Sequence, residues 1–263
     1  MAPIWPVVAL IGLLGLAIGS FLNVVIYRVP RDESILFPAS HCTSCDEPIK
    51  RRHNVPVLGW LMLRGRCACC KATISSRYPL VEAGTALLFV AITAHFGLSA
   101  ELPAYLYLAA VGVTLAMIDF DVRRLPDSIV LPSYVISVLL LMPAGAVTGE
   151  WWVSVRALLG MVALWLIYFV IALAYPRGMG FGDVKLAGLL GLYLGWLGWE
   201  ALLIGGFGAF VVGGFSGTAL IASRRVTRNG TIPFGPSMIT AAVLALFVAA
   251  PITHWYGSML HMS

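Results

Sequence analysis

Apolar residues run along this chain in long blocks, not in the strict alternation of a half-buried strand or the third-and-fourth spacing of a surface helix. The blocks cover roughly Pro6 to Tyr27, Leu80 to Phe96, Leu102 to Ile118, Ile129 to Leu141, Trp152 to Tyr175, Leu186 to Trp199, Leu202 to Ala222 and Gly235 to Pro251. A helix that crosses a bilayer needs about 20 mostly apolar residues. The pattern therefore predicts an all-α polytopic membrane protein of about eight transmembrane helices, the fourth and sixth of them short. No basic residue precedes the first block, and no small-residue cleavage site followed by a soluble domain ends it. It is expected to remain as a span rather than leave as a signal peptide.

Between the first two blocks the chain turns polar, from Arg28 to Arg77, with Pro30, Pro38, Pro48 and Pro56 as punctuation. Three regions follow: residues 1–27 as the first transmembrane helix, 28–79 as a cysteine-rich loop, and 80–263 as the membrane core. Composition agrees, with 60% hydrophobic and 11% charged residues, which excludes an ordinary soluble domain.

Charge then sets the orientation, because Lys and Arg near span ends favour the cytoplasmic side. With the N-terminus outside, the first inner connection carries Arg28, Arg31, Lys50, Arg51, Arg52, Arg64, Arg66, Lys71 and Arg77. Later inner connections carry Arg123, Arg124, Arg177, Lys185, Arg224, Arg225 and Arg228, which leaves Arg156 alone outside. The short outer connections hold Glu101, Glu150 and Glu200. The net charge of +5 thus reads as topology and as contact with anionic membrane lipid. No nucleic-acid partner is expected.

All five cysteines fall in the loop, as Cys42-Thr43-Ser44-Cys45 and Cys67-Ala68-Cys69-Cys70. Two CxxC knuckles at this separation resemble a zinc ribbon, and in a reducing cytoplasm four thiolates suit tetrahedral zinc. The ligand set is Cys42, Cys45, Cys67 and Cys70, with Cys69 able to replace a member of the second pair. His41 and His53 are substitutes of lower rank.

Ionisable groups at span ends are costly and point to function. Asp119 and Asp121 close the third span, and Asp183 opens the sixth after Gly180-Phe181-Gly182. On the topology above both clusters lie at one membrane face, so two carboxylates from distant sequence can meet. One ionised and one neutral carboxyl would suit attack of water on a peptide carbonyl. Spacing alone equally allows Asp119 to pair with Arg123 and Asp183 to cap its helix. Asp121 is the reserve for the first role, and Asp127 reads as a solvated or capping residue.

Taken together, these residues resemble the bacterial type IV prepilin peptidases, which act as leader peptidase and N-methyltransferase and belong to the GxGD intramembrane aspartic proteases. The resemblance covers nearly the whole chain. It is carried by Gly19-Ser20-Phe21-Leu22-Asn23-Val24-Val25-Ile26-Tyr27-Arg28, the double CxxC loop, Asn54-Val55-Pro56, and Ser76-Arg77-Tyr78-Pro79-Leu80-Val81-Glu82. Leu125-Pro126-Asp127, Gly180-Phe181-Gly182-Asp183 and Ile232-Pro233-Phe234-Gly235-Pro236 complete it.

The resemblance implies Asp119 as one catalytic residue, six positions before Leu-Pro, and Asp183 of the GxGD motif as the other. It implies prepilin or type II secretion pseudopilin substrates, cut after a glycine that ends a short basic leader. The new N-terminus is then methylated from S-adenosylmethionine, the cysteine loop favouring both activities. It also implies the bacterial inner membrane, with the active site facing the cytoplasm. Thr43 stands where a proline is common, and Cys69 is extra. No Rossmann-type glycine fingerprint marks a methyl-donor site, and Glu47, Lys50, Tyr78 and Glu82 are the polar candidates for it. Two rival readings are a preflagellin-type protease, which would lack the cysteine loop, and a transporter or ion-coupled channel using the aspartates as ion sites.

Overall fold

A computed structural model of the protein describes residues 5–176, 178–223 and 233–260. Arg177, Arg224, Arg225, Arg228 and Ile232, invoked above, lie outside the described residues. The described chain is helical: α1 Trp5–Arg28, α2 Leu58–Met62, α3 Arg77–Phe96, α4 Leu102–Val122, α5 Asp127–Thr148, α6 Trp151–Ala174, α7 Phe181–Leu197, α8 Trp199–Ala222 and α9 Gly235–Leu260. Apart from the short α2, each helix takes up one of the eight apolar blocks. Six of them, α1, α3, α4, α5, α6 and α8, are long and apolar enough to cross a membrane. The protein is therefore an integral membrane protein.

The chain divides into two compact units, Met1–Thr114 and Leu115–Ser263, with the boundary inside α4. In the first unit α1 lies against α3 through a row of glycines. A methyl at Gly15 would fall 2.7 Å from the Ala86 Cα, and one at Gly19 would fall 2.7 Å from the Glu82 Cα. Small residues let membrane helices approach to backbone contact, since lipid supplies no hydrophobic force to join them. Where α1 leaves the apolar layer, the Arg28 guanidinium donates to the Ser34 and Pro38 carbonyls at 2.8 and 2.7 Å. The start of the loop is thereby folded onto the end of the helix. Thr85, Thr93 and Thr114 return their hydroxyls to carbonyls one turn back, at 2.8, 2.7 and 2.8 Å. That is how a buried hydroxyl finds an acceptor without water.

In the second unit α7 is the hub, with buried positions around its whole circumference from Val184 to Trp196. It packs on α5, α6, α8 and α9. A helix apolar on every side is one buried by other helices, which explains why a 17-residue element suffices here. Its contact with α6 is backbone-close: a methyl on Gly160 would stand 2.6 Å from the Gly191 carbonyl and 2.8 Å from the Gly195 Cα.

The fourth span is longer than expected. α5 runs for 22 residues straight through Pro132 and Pro143, where the sequence suggested a stop near Leu141. Proline is tolerated inside membrane helices when neighbouring groups take up the freed backbone. Apart from the carbonyls that the prolines free, Ser133 Oγ donates to the Ile129 carbonyl at 2.7 Å, and Ser137 ties the helix to the Tyr193 hydroxyl of α7 at 2.8 Å.

Candidate active site and cysteine cluster

The carboxylate site lies entirely within the second unit. Asp119 sits in the last turn of α4 and is buried, at 5% exposure. Its Oδ2 accepts the Gly235 N–H at 3.1 Å, from the first residue of α9. Asp183 sits in the first turn of α7, where its Oδ2 accepts the Gly180 N–H at 3.1 Å. The helix-capping alternative for Asp183 is thus realised, and one oxygen of the carboxylate remains outside that bond.

Asp119 lies near enough to Asp183 for its charge to act on the Asp183 carboxyl. Leu125 supports both sides. It lies 3.2 Å from where a Gly182 side chain would start and 3.4 Å from where a Gly235 side chain would start. The glycine beside each carboxylate is what lets the two backbones close on one leucine. Tyr168 of α6 flanks Asp183 electrostatically and donates its hydroxyl to the Gly206 carbonyl at 3.0 Å.

The other acidic candidates lie elsewhere. Asp121 is exposed. Asp127 takes both its oxygens to Lys185 Nζ at 2.7 Å. Since Lys185 follows Asp183 by two residues, that pair ties the start of α5 to the start of α7.

In the first unit, the sulfurs of Cys42, Cys45, Cys67 and Cys70 lie within 4.8 Å of one another. Cys42 and Cys70 approach to 3.8 Å. A tetrahedron of thiolates at the usual Zn–S length of about 2.3 Å puts sulfurs about 3.8 Å apart, so the cluster fits zinc. Cys69 is exposed and outside the cluster.

The two knuckles repeat one local structure. Cys42 N–H bonds the Glu47 carbonyl and Cys67 N–H the Ala72 carbonyl, at 3.0 and 2.8 Å. Asp46 and Lys71, each just after the second cysteine, both take positive φ, at 54° and 61°. His41 pairs with Pro48, and Arg66 with Thr73, as matching bridges. Backbone N–H groups of Cys70 and then Cys69 lower the Cys67 thiol to about 7. At Cys45 the lowering by the Glu47 N–H is outweighed by bonds from neighbouring thiols and burial, which push it to about 12.

Of the methyl-donor candidates, Glu47, Lys50 and Tyr78 are exposed. Tyr78 gives its carbonyl to the Asn23 amide at 3.1 Å. Glu82, at 8% exposure, points its Oε2 at the Val57 N–H, 2.7 Å away. Among the described residues no hydrogen bond joins these four, so they form no cradle that by itself identifies a donor molecule.

Comparison with known proteins now decides the family. Residues 13–96 match the bacterial peptidase A24 N-terminal domain, and residues 106–218 match the type IV leader peptidase family. The chain belongs to the type IV leader peptidase family. It is 39% identical to a prepilin leader peptidase/N-methyltransferase of Aeromonas hydrophila, covering 96% of this chain and 94% of that protein. The protein of that name from Stutzerimonas stutzeri is 37% identical over 92% of this chain and 91% of its own. One from Neisseria gonorrhoeae is 37% identical over 88% and 87%. No solved structure matches.

The family's A24 N-terminal domain takes in the cysteine cluster, and its peptidase region takes in both aspartates. Sequence reasoning did not anticipate the Gly235 amide or the Leu125 support. The only signals for them were the Phe-Gly-Pro and Leu-Pro motifs, to which hydropathy is blind.

Proposed function

We propose that this protein is a membrane-embedded aspartic endopeptidase that removes the basic leader from type IV prepilins or type II secretion pseudopilins and methylates the new N-terminus. What supports the reading is that the Asp119 and Asp183 segments, from α4 and α7, come together: Leu125 stands against Gly182, beside Asp183, and against Gly235, whose amide bonds Asp119. With one carboxyl protonated and the other ionised, the ionised member takes a proton from water while the neutral one polarises the scissile carbonyl. Burial at the membrane edge strengthens both interactions.

Zinc held by Cys42, Cys45, Cys67 and Cys70 acts structurally, fixing the loop between α1 and α3. S-adenosylmethionine is the methyl donor, with Glu47, Lys50, Tyr78 and Glu82 as the group that contacts it. The site works at the cytoplasmic face of the bacterial inner membrane, in contact with its lipid, a reading supported by the basic residues gathered in the connections on one side of the spans.

The test incubates purified full-length protein with a prepilin and S-adenosylmethionine and reads leader removal and N-terminal mass. Asp119→Asn and Asp183→Asn are each expected to abolish cleavage while staying folded, and wild type to add one methyl's mass. If either variant cuts at the wild-type rate, the dyad assignment fails. If wild type leaves several prepilins intact, an ion-coupled transporter becomes the better account of the aspartates.

A further inference from the structure

The Pro233-Phe234-Gly235-Pro236 segment has no part in the chemistry above, yet it touches the most buried carboxylate of the molecule. The Gly235 N–H donates to Asp119 Oδ2 at 3.1 Å, a buried bond between residues 116 positions apart. The leading amides of a helix have no partner inside it. In α9, Pro236 has no N–H, and Ser237 and Met238 return theirs to the Phe234 carbonyl at 3.0 and 3.1 Å. The Gly235 amide is the one that α9 gives to another helix.

Space requires glycine there. A Cβ at position 235 would stand 2.8 Å from Asp119 Oδ2 and 3.4 Å from Leu125 Cδ2. The segment itself is held by the Phe234 ring, 5.3 Å from Phe210 of α8 and 6.4 Å from Tyr168 of α6. A methyl at Gly213 would come within 3.0 Å of that ring, so this glycine gives Phe234 its seat.

We propose that the Gly235 main-chain N–H is a positioning donor for the Asp119 carboxylate, and that Pro233–Pro236 is a third arm of the site alongside the ends of α4 and α7. This rests on Asp119 being catalytic. A carboxylate in proton transfer must be held in one orientation, and a displacement of about 1 Å can cost about a hundredfold in rate. A buried main-chain donor anchored by an aromatic ring supplies that hold without a mobile side chain.

The experiment measures kcat and KM for prepilin cleavage, with thermal unfolding, on full-length wild type, Asp119→Asn, Gly235→Ala and Gly208→Ala. Gly208 faces Ala241 across the α8–α9 contact at 3.4 Å, so its methyl adds an ordinary contact in the same helix pair. Gly235→Ala is expected to lower kcat by about ten- to a hundredfold, the worth of a hydrogen bond to a charged group. Its KM should hold, with unfolding still cooperative, while Gly208→Ala keeps wild-type kcat.

Wild-type kcat in Gly235→Ala, beside an inactive Asp119→Asn, would overturn the positioning role and leave the dyad intact. Wild-type cutting by Asp119→Asn would overturn the dyad reading itself. If Gly235→Ala does not fold, Phe234→Leu decides. It keeps the glycine but loosens its anchor, so a several-fold loss of kcat at constant KM supports the proposal and an unchanged kcat overturns it.

Discussion

Replacing Glu82 should open a strained turn more than 20 residues away in sequence. At Pro56-Val57-Leu58 the chain reverses within three residues, with the Leu58 N–H on the Pro56 carbonyl at 2.6 Å. Val57 occupies φ 60° and ψ −52°. A β-branched residue at positive φ is a true outlier, costing on the order of 1–3 kcal/mol, and it persists only if neighbours enforce it. The enforcing contact is the Val57 N–H on the buried Glu82 carboxylate at 2.7 Å. A bond to a charged group contributes about 1.5–3 kcal/mol, comparable to the strain it opposes. Glu82→Gln retains an oxygen acceptor without the charge and should lose roughly half of that. Glu82→Ala loses all of it, and a change of about 2 kcal/mol raises the open population about thirtyfold. Amide hydrogen exchange across Val55–Met62 in the full-length protein reads this directly. Exchange at Val57, Leu58 and Gly59 should quicken in the order wild type, Gln, Ala, with methyl transfer falling in the same order. Equal protection in wild type and Glu82→Ala would refute the argument.

Three further outcomes are expected. Elemental analysis should find about one zinc per chain, lost in Cys42→Ser and Cys67→Ser but kept in Cys69→Ser; equal loss in all three would refute the ligand set. The retained zinc should fall as pH is lowered, because ligation needs all four thiolates and protons compete for them. The Cys45 thiol, pushed to about 12 without metal, is the hardest of the shifted pair to ionise. Gly160→Ala should lower the unfolding temperature in detergent, since its methyl would stand 2.6 Å from the Gly191 carbonyl and overpacking of this kind costs about 1–3 kcal/mol. An unchanged midpoint would mean that α6 and α7 yield freely.

Much of the architecture was legible because a bilayer leaves few options. Backbone that crosses it must satisfy its own hydrogen bonds, so a block of apolar residues is a helix. The blocks therefore map onto helices one by one. The misjudged element was α5, where the apolar block ends near Leu141 but the helix runs on through Pro143 to Thr148. The knuckles were equally legible in outline, since CxxC spacing itself puts two sulfurs on one ion. Which of Cys67, Cys69 and Cys70 joins the cluster only the folded loop shows, with Cys69 left outside it.

The sequence by itself determined the membrane class, the apolar blocks that become helices, the polar module between the first two, and a short list of acids and thiols. Those follow from transfer free energy and local spacing, which every residue carries wherever it sits. The tertiary structure alone decided that Leu125 stands against both Gly182 and Gly235, that Gly235 gives its amide to Asp119, and that Glu82 holds the Val57 turn. Each of these joins residues distant in the chain through contacts of a few ångströms, and hydropathy carries no record of which helix faces which.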